Sequence, residues 1–304
     1  MKSRAIVMRK TGGPEVLVLE ERVLAPLESG ELRIRSLASA VNHSDLEIRA
    51  GNWNIRREPK LPYVPGLEVV GEVVEVASDV DSLRVRDLAW TMMQGLGGVR
   101  AERDGGYAEM VTVSASAVAK LPPGIDPVAF AAVGLAGVTA YQGLATLGNL
   151  KGSTLVVTGS SGGVGALAAL IGRAAGATVV PVDRTSPAPP PKSADAVFDV
   201  VAGALFPALI ASLRHGGRYC VVGAMGGGDV KLDVWSLLDG LILTGYSTED
   251  LDGSALRSAT QGLLELALPP LEATVLPLAE AARAHALLES RQVRGRVVLV
   301  PSSG

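Results

Sequence analysis

The sequence predicts an α/β chain in two parts, a β-rich barrel and a doubly wound parallel sheet. Three observations carry this. Residues 1–123 alternate short apolar runs with glycine and proline turns, the pattern of many short strands in a partly closed barrel. From Asp126 to about Tyr246 helical and strand-like segments alternate, which implies parallel strands with helices on both faces. Beyond that the first style returns. A chain of 304 residues, 48% apolar, is long enough to bury cores for both parts.

In the first part Ala5–Met8, Val16–Val23 and Glu31–Ala40 read as strands, with Gly12-Gly13-Pro14 and Ser29-Gly30 as turns. Val41-Asn42-His43-Ser44-Asp45 opens a short helix over Leu46–Ala50, closed by Gly51. Leu61-Pro62-Tyr63-Val64-Pro65-Gly66 is a stiff extended approach to a strand at Leu67–Ala77, where valine and glutamate alternate. Asp87–Met93 and Gly106–Val113 are further strands. Pro127–Leu150 carries no charge and is long enough to cross a bilayer, but four glycines interrupt it. It reads as a helix, a turn and a second helix buried in a soluble core.

The second part is organised around Thr154-Leu155-Val156-Val157-Thr158-Gly159-Ser160-Ser161-Gly162-Gly163-Val164-Gly165. This is an apolar strand, a glycine-rich turn, and a helix beginning at about Val164. Ser160-x-Gly162-x-x-Gly165 matches the dinucleotide fingerprint with serine in place of the first glycine. Gly162 leaves room for a pyrophosphate against the backbone, and Gly165 lets the helix press on the strand. Free amides at the helix start attract the anion. A second strand, Ala177–Val182, ends at Asp183, where a carboxylate can accept from an adenosine ribose. Strands at Asp195–Val201, Arg218–Gly223 and Leu241–Tyr246 follow, with a helix at Phe206–Leu213. The tail supplies a helix at Ser254–Ala267, a strand at Ala273–Leu276, a helix at Leu278–Ser290 and a strand at Arg296–Val300.

Composition narrows the function. The net charge is −3, and no basic excess points to nucleic acid. The N-terminus lacks the apolar run of a signal peptide. The single cysteine, Cys220, lies in an apolar run and excludes an internal disulfide. Cytoplasmic location fits it. His43 has no evident partner ligand, and His215 and His285 read as structural or solvated.

Motifs along nearly the whole chain resemble the medium-chain dehydrogenase/reductase family, closest to its zinc-free quinone oxidoreductase and enoyl reductase branch. They are Val41-Asn42-x-x-Asp45 with Arg49 and Gly51, Leu61-Pro62-Tyr63-Val64-Pro65-Gly66-x-Glu68, Gly105-Gly106-Tyr107-Ala108-Glu109, Gly137-Val138-Thr139-Ala140-Tyr141, the turn, Leu213-x-x-Gly216-Gly217-Arg218, and Arg294-Gly295-Arg296-Val297-Val298-Leu299. The resemblance implies a GroES-like catalytic domain at 1–123, completed by 269–304, and a Rossmann cofactor-binding domain at 124–268. It implies a site in the cleft between them and a homodimer formed through the last strand of the sheet.

The chemistry so implied is hydride transfer from NADPH or NADH to an activated alkene, quinone or related carbonyl compound. By resemblance Asn42 and Asp45 line the nicotinamide side, Thr139 lies near the carboxamide, and Val222, Gly223 and Ala224 pass behind the ring. Ser160, Ser161, Gly162, Gly163, Val164 and Gly165 hold the phosphates. Two readings stand for Asn42 and for Asp45, since each also suits the first turn of a helix. Glu68 is placed to orient Arg49. Zinc-dependent relatives carry cysteine and histidine where this chain has Asn42 and Leu67, and Gln94–Asp104 lacks their four-cysteine lobe, so no metal is expected.

Three departures matter. Trp53 stands where enoyl reductases of this branch often carry tyrosine; it either stacks on a flat substrate or packs its own loop. Between Asp183 and Asp195 only a proline-rich run intervenes, too short for the usual helix, strand and helix, so the sheet should lose its outer strand. Asp183 favours NADH, while Arg184, Lys192 and Arg291 could attract a 2′-phosphate. The shortened domain also keeps open a second reading, a relative without redox work that binds a ligand, catalyses a cyclisation or serves as a partner protein. Pocket walls are expected from Asn52–Lys60 and Leu96–Asp104.

Overall fold

A computed structural model describes residues 1–53, 60–93, 96, 103–249, 251–293 and 295–301. Most of both expected pocket-wall loops, and Arg294 of the tail motif, lie outside the described residues. In chain order the elements are β1 (Lys2–Val7), β2 (Val18–Val23), β3 (Glu31–Val41), α1 (His43–Ala50), β4 (Glu68–Val76), β5 (Leu88–Met92), β6 (Met110–Ser114), β7 (Val118–Lys120) and α2 (Pro127–Ala145). Then come β8 (Thr154–Thr158), α3 (Gly163–Ala174), β9 (Thr178–Val182), β10 (Ala194–Asp199), α4 (Phe206–Ser212), β11 (Leu213–Val221) and β12 (Ile242–Gly245). The tail holds α5 (Gly253–Glu265), β13 (Ala273–Pro277), α6 (Ala281–Glu289) and β14 (Arg296–Val300).

The chain separates into two compact units. One is Met1–Leu135 with Glu249–Thr260 and Pro270–Gly304; the other is Ala136–Thr248 with Gln261–Pro269. In the first, the strands run β13-β14-β3-β4-β5-β7, with β6 also pairing to β3 and β1 pairing to β2. The tail strand β14 lies antiparallel to β3, matching Val297 to Val41 and Leu299 to Ser39. The last strand thus seats beside the strand that leads into α1. Val41 of β3, Val69 of β4 and Val297 with Leu299 of β14 pack in one buried cluster, and the strands around them are buried on both faces. The short strand β7 was not foreseen; three residues carry too little periodicity to read.

The second unit holds a five-stranded parallel sheet in the order β12-β11-β10-β8-β9. Among the described residues no strand lies outside β9, so the outer strand is missing as the short connection requires. The new edge carries Pro181, which has no N–H to offer a further strand. α3 lies tight on β8. A Cβ on Gly165 would sit 2.2 Å from Gly159 O, so only glycine permits that approach.

Two boundaries differ from the sequence reading for physical reasons. The segment from Pro127 is two helical stretches joined by a kink, as expected, but the second ends at Ala145; it is long and apolar enough to span a membrane by composition, yet mostly buried in the protein. It breaks at Gly134, where φ is 4° and ψ −113°. A Cβ there would lie 2.0 Å from Glu68 Oε2, and the break turns the Leu135 N–H to that same oxygen at 2.9 Å. β10 stops at Asp199 rather than Val201 because the Asp199 side chain takes the amides of Val201 and Ala202 out of the ladder.

Candidate functional site

Within the first unit the centre is a cluster of buried polar side chains around α1. Asn42 caps the helix in extended geometry, and Asp45 Oδ2 reaches back to accept from the Asn42 N–H at 2.8 Å. Asp45 Oδ1 accepts from the Leu67 N–H at 3.0 Å. The Asn42 carboxamide is held at both ends. Its Nδ2 donates to Glu68 Oε1 at 2.9 Å, and its Oδ1 accepts from Arg296 Nη2 at 2.7 Å. Arg296 Nη2 stands 3.7 Å from Glu68 Oε1. Glu68 and Asp45 are almost wholly buried; N–H groups of Asn42, Leu67 and Leu135 bond to them, and Arg296 is the cation beside Glu68.

The electrostatics follow. Burial and then the neighbouring Glu68 push the Asp45 carboxyl up to about 7, against the hydrogen bonds that favour its ion. Burial also raises Glu68, opposed by Arg296 and Asn42. The Tyr107 hydroxyl faces Asp45 and lies 3.3 Å from His285 Nε2. Burial, then the Arg49 charge, lower His285 to about 3, and its Nδ1 has no partner among the described residues. His43 is also lowered, by desolvation and then by the positive charges of Arg296 and Arg291. Arg49 does not meet Glu68 as expected. It donates to Gly12 O and to Glu289 Oε1, because Arg296 already occupies the space beside Glu68. Trp53 is half-buried, with its indole N–H buried and unpartnered among the described residues.

Within the second unit the glycine turn stands at the carboxyl end of β8; the N-cap of α3 is Gly162, and among the described residues no side chain bonds to the first amides of the helix. Those amides are therefore available to an anion. Asp183 faces the turn. Its Oδ2 accepts from Ser160 Oγ at 3.0 Å, and its Oδ1 from Ser161 N and Oγ, each at 3.1 Å. Arg184 is exposed, with no partner among the described residues. Lys192 does not face the turn as a free cation; it pairs with Asp239. Val222 anchors its loop by donating to Asp199 O at 2.8 Å, with Gly223 partly exposed and Ala224 exposed beyond it. Thr139 is nearly buried in α2.

Arg296 and Asp199 are the residues the sequence reading passed over. A buried acid at position 68 calls for a cation, and Arg296 opens an apolar strand, which was the available signal. An aspartate ending the apolar strand Ala196-Val197-Phe198 was the other.

The titrations predict a measurable balance. Asp45, raised from its ordinary 3.8 to about 7, adds stability that is full at acid pH and is lost as pH rises through that window. His285, lowered from 6.5 to about 3, does the reverse, losing stability as pH falls through its window. Between pH 4 and 6.5 the two slopes oppose, each of about 1.4 kcal/mol per pH unit at most. Replacing His285 by glutamine removes one of them. The melting temperature of His285→Gln relative to the wild type should rise steadily as pH is lowered from 6.5 to 4, read by calorimetry.

Comparison with known proteins gives these sites a family. A model described as alcohol dehydrogenase GroES-like domain matches residues 28–123, and one described as zinc-binding dehydrogenase matches 175–299. The quinone oxidoreductase of Sus scrofa is 30% identical over 97% of this chain and 97% of its own. The crystal structure of AibC superposes with a TM-score of 0.85 at 26% identity, covering 99% and 96% of the two chains. The mycobacterial protein Rv1454c complexed with NADPH does so at 0.83 and 27%, covering 98% and 100%. A zinc ion, which the second model's description implies, does not suit these residues. Leu67 offers no donor, Asn42 offers a neutral amide oxygen, and the Arg296 cation is already bonded to it. Among the described residues no three His, Cys, Asp or Glu side chains converge on a metal position. A nicotinamide dinucleotide does suit the uncapped turn with Asp183 beside it. The chain belongs to the medium-chain dehydrogenase/reductase family, as an NAD(P)H-dependent oxidoreductase.

Proposed function

We propose that the chain is a zinc-independent reductase that passes hydride from a reduced nicotinamide to an activated alkene, a quinone or a related carbonyl compound. The turn Ser160–Gly165, uncapped and flanked by Asp183, carries this reading. The names of the relatives support quinones, and the NADPH complex of one neighbour supports the cofactor class. When bound, the nicotinamide supplies the hydride. The chain's own work is to bind, orient and shield. In this reading Ser160–Gly165 bind the phosphates, Val222–Ala224 and Thr139 orient the ring, and Asn42 and Asp45 keep the catalytic role expected of them. With both amide ends bonded, Asn42 acts as a fixed wall. Trp53 offers an apolar face to a flat substrate and no transferable proton.

The test mixes protein with NADH or NADPH and follows nicotinamide fluorescence, then coenzyme consumption with enones and quinones, with and without EDTA. Binding and turnover unaffected by the chelator are expected. Silence with both coenzymes at about 1 mM, the upper range of ordinary KM values, would favour the non-redox reading that the missing outer strand keeps alive.

On the choice of coenzyme, Asp183 places a carboxylate on the turn and Lys192 is taken by Asp239, which favours NADH. Arg184, exposed beside the turn, favours a 2′-phosphate. Asp183→Ala should shift the NADH/NADPH ratio of kcat/KM toward NADPH by at least tenfold; an unchanged ratio counts against this placement.

We also infer a homodimer working in the cytoplasm on a small-molecule substrate, without nucleic acid or membrane partners. β12 is the free edge of its sheet, and Leu232, Val234, Trp235, Leu238 and Ile242 are exposed around it. An apolar edge of this kind is self-complementary about a two-fold axis. Light scattering should give twice the chain mass, and Ile242→Lys combined with Trp235→Lys should give the monomer.

A further inference from the structure

We propose that Asp199 is a positioning residue, whose buried carboxylate sets the spacing between the glycine turn and the Val222–Ala224 loop and so the grip on the dinucleotide. The proposal rests on the coenzyme reading above.

Asp199 ends β10, the middle strand of the five, and is fully buried. Its Oδ1 accepts from Thr158 Oγ1 at 2.5 Å, Val201 N at 2.8 Å and Ala202 N at 3.1 Å. Its Oδ2 accepts from the Tyr219 hydroxyl and again from Ala202 N. None of these partners is a cation. The charge is held by dipoles from β8, from β11 and from its own following turn. Burial and then the Asp199 charge raise the Tyr219 hydroxyl well above its ordinary range, so it stays a donor.

The residue these bonds pin is Val200. Its N–H donates to Thr158 Oγ1 at 2.9 Å. Its side chain lies under the start of the turn, with Cγ2 2.6 Å from where a Cβ on Gly159 would be. Its carbonyl lies under the other loop, with O 3.0 Å from where a Cβ on Gly223 would be. The same carbonyl and that of Val201 accept from Met225 N and Gly226 N. One short segment is therefore the common floor of both loops, and Asp199 fixes its height. Ala202 pays a conformational cost for this, with φ 53° and ψ −136°, a region an L residue rarely occupies. Its amide bonds to both Asp199 oxygens hold it there. Strain kept in place by a buried network at the mouth of a ligand crevice is a sign of a set geometry. A carboxylate needed for core stability alone requires neither the Val200 contacts on both sides nor a strained neighbour.

The test separates position from stability by using pairs of variants. Thr158→Val removes a donor to Asp199 and the acceptor for Val200 N, while Thr158→Ser keeps the hydroxyl. Asp199→Asn places an NH2 against donors. For each variant, far-UV circular dichroism and melting report the fold, and nicotinamide fluorescence titration reports the Kd for NADH and NADPH. Expected are folded Thr158→Val and Asp199→Asn proteins with Kd raised at least tenfold, and Thr158→Ser within threefold of wild type. If Asp199→Asn does not fold, the threonine pair decides. Lowered melting with Kd within twofold of wild type in Thr158→Val would overturn the proposal, as would Thr158→Ser behaving like Thr158→Val. A wild-type protein that binds neither coenzyme overturns this proposal together with the proposed function, whereas wild-type binding that the variants share overturns this one alone.

Discussion

A wholly buried carboxylate must be answered, and Glu68 decides much of how the first unit is assembled. An unpaired ion in such a place costs several kcal/mol. The chain meets it from three directions. Asn42 supplies an amide hydrogen from the start of α1, Leu135 a backbone N–H at the break of α2, and Arg296 a positive charge from the last strand. Positions 42, 68, 135 and 296 are thus bound by one electrostatic requirement. It explains why the tail strand lies beside β3, and why a glycine breaks the long apolar helix where it does. Hydrophobic burial alone would accept other registers; the acid does not. The arrangement is weak evidence for added stability, because an apolar replacement of the whole group could be as stable. What it fixes is geometry.

One cation then serves two acids. Arg296 lies near Glu68, and Asp45 is left to backbone N–H groups and a tyrosine. Burial and this imbalance push the Asp45 carboxyl up to about 7, while burial and the Arg49 charge keep His285 neutral. The second unit takes the opposite course. Among the described residues Asp199 and Asp183 are bonded to dipoles and hydroxyls, with no guanidinium or ammonium in either shell. A cation bonded to Asp183 would alter the potential at the turn proposed to hold a diphosphate. Hydroxyl and amide partners hold the carboxylate without adding a competing charge.

What the sequence made legible was what lies close along the chain. Turn, strand and helix around Gly159–Gly165 are contiguous, and the apolar period on either side announces them. The missing outer strand was equally readable, because eleven residues with four prolines between Asp183 and Asp195 cannot form a helix, a strand and a helix. The misses share one cause. Arg296 meeting Asn42 spans 254 positions, and no local pattern encodes which of 28 basic residues answers a given acid. Arg49 was the nearer guess for Glu68 and proved to be spent on Gly12 and Glu289. Lys192 was misjudged in the same way, since its partner Asp239 lies beyond two strands.

The shortened sheet shows how an excision is made tolerable. Removing an outer strand exposes a new edge, and here that edge presents Pro181, which cannot extend the ladder. The short connection runs past the end of the sheet, where Ser193 donates to Pro190 O and the Lys192 N–H bonds to Ala211 O beside α4. Neither device needs a large core. The cost falls on the adenosine end, where a strand and two helices would otherwise form a wall. Recognition there contracts to what the turn itself offers, two serine hydroxyls and the carboxylate they hold. On the proposed coenzyme reading, selection then falls on Asp183 and Arg184, adjacent residues of opposite charge at the end of one strand.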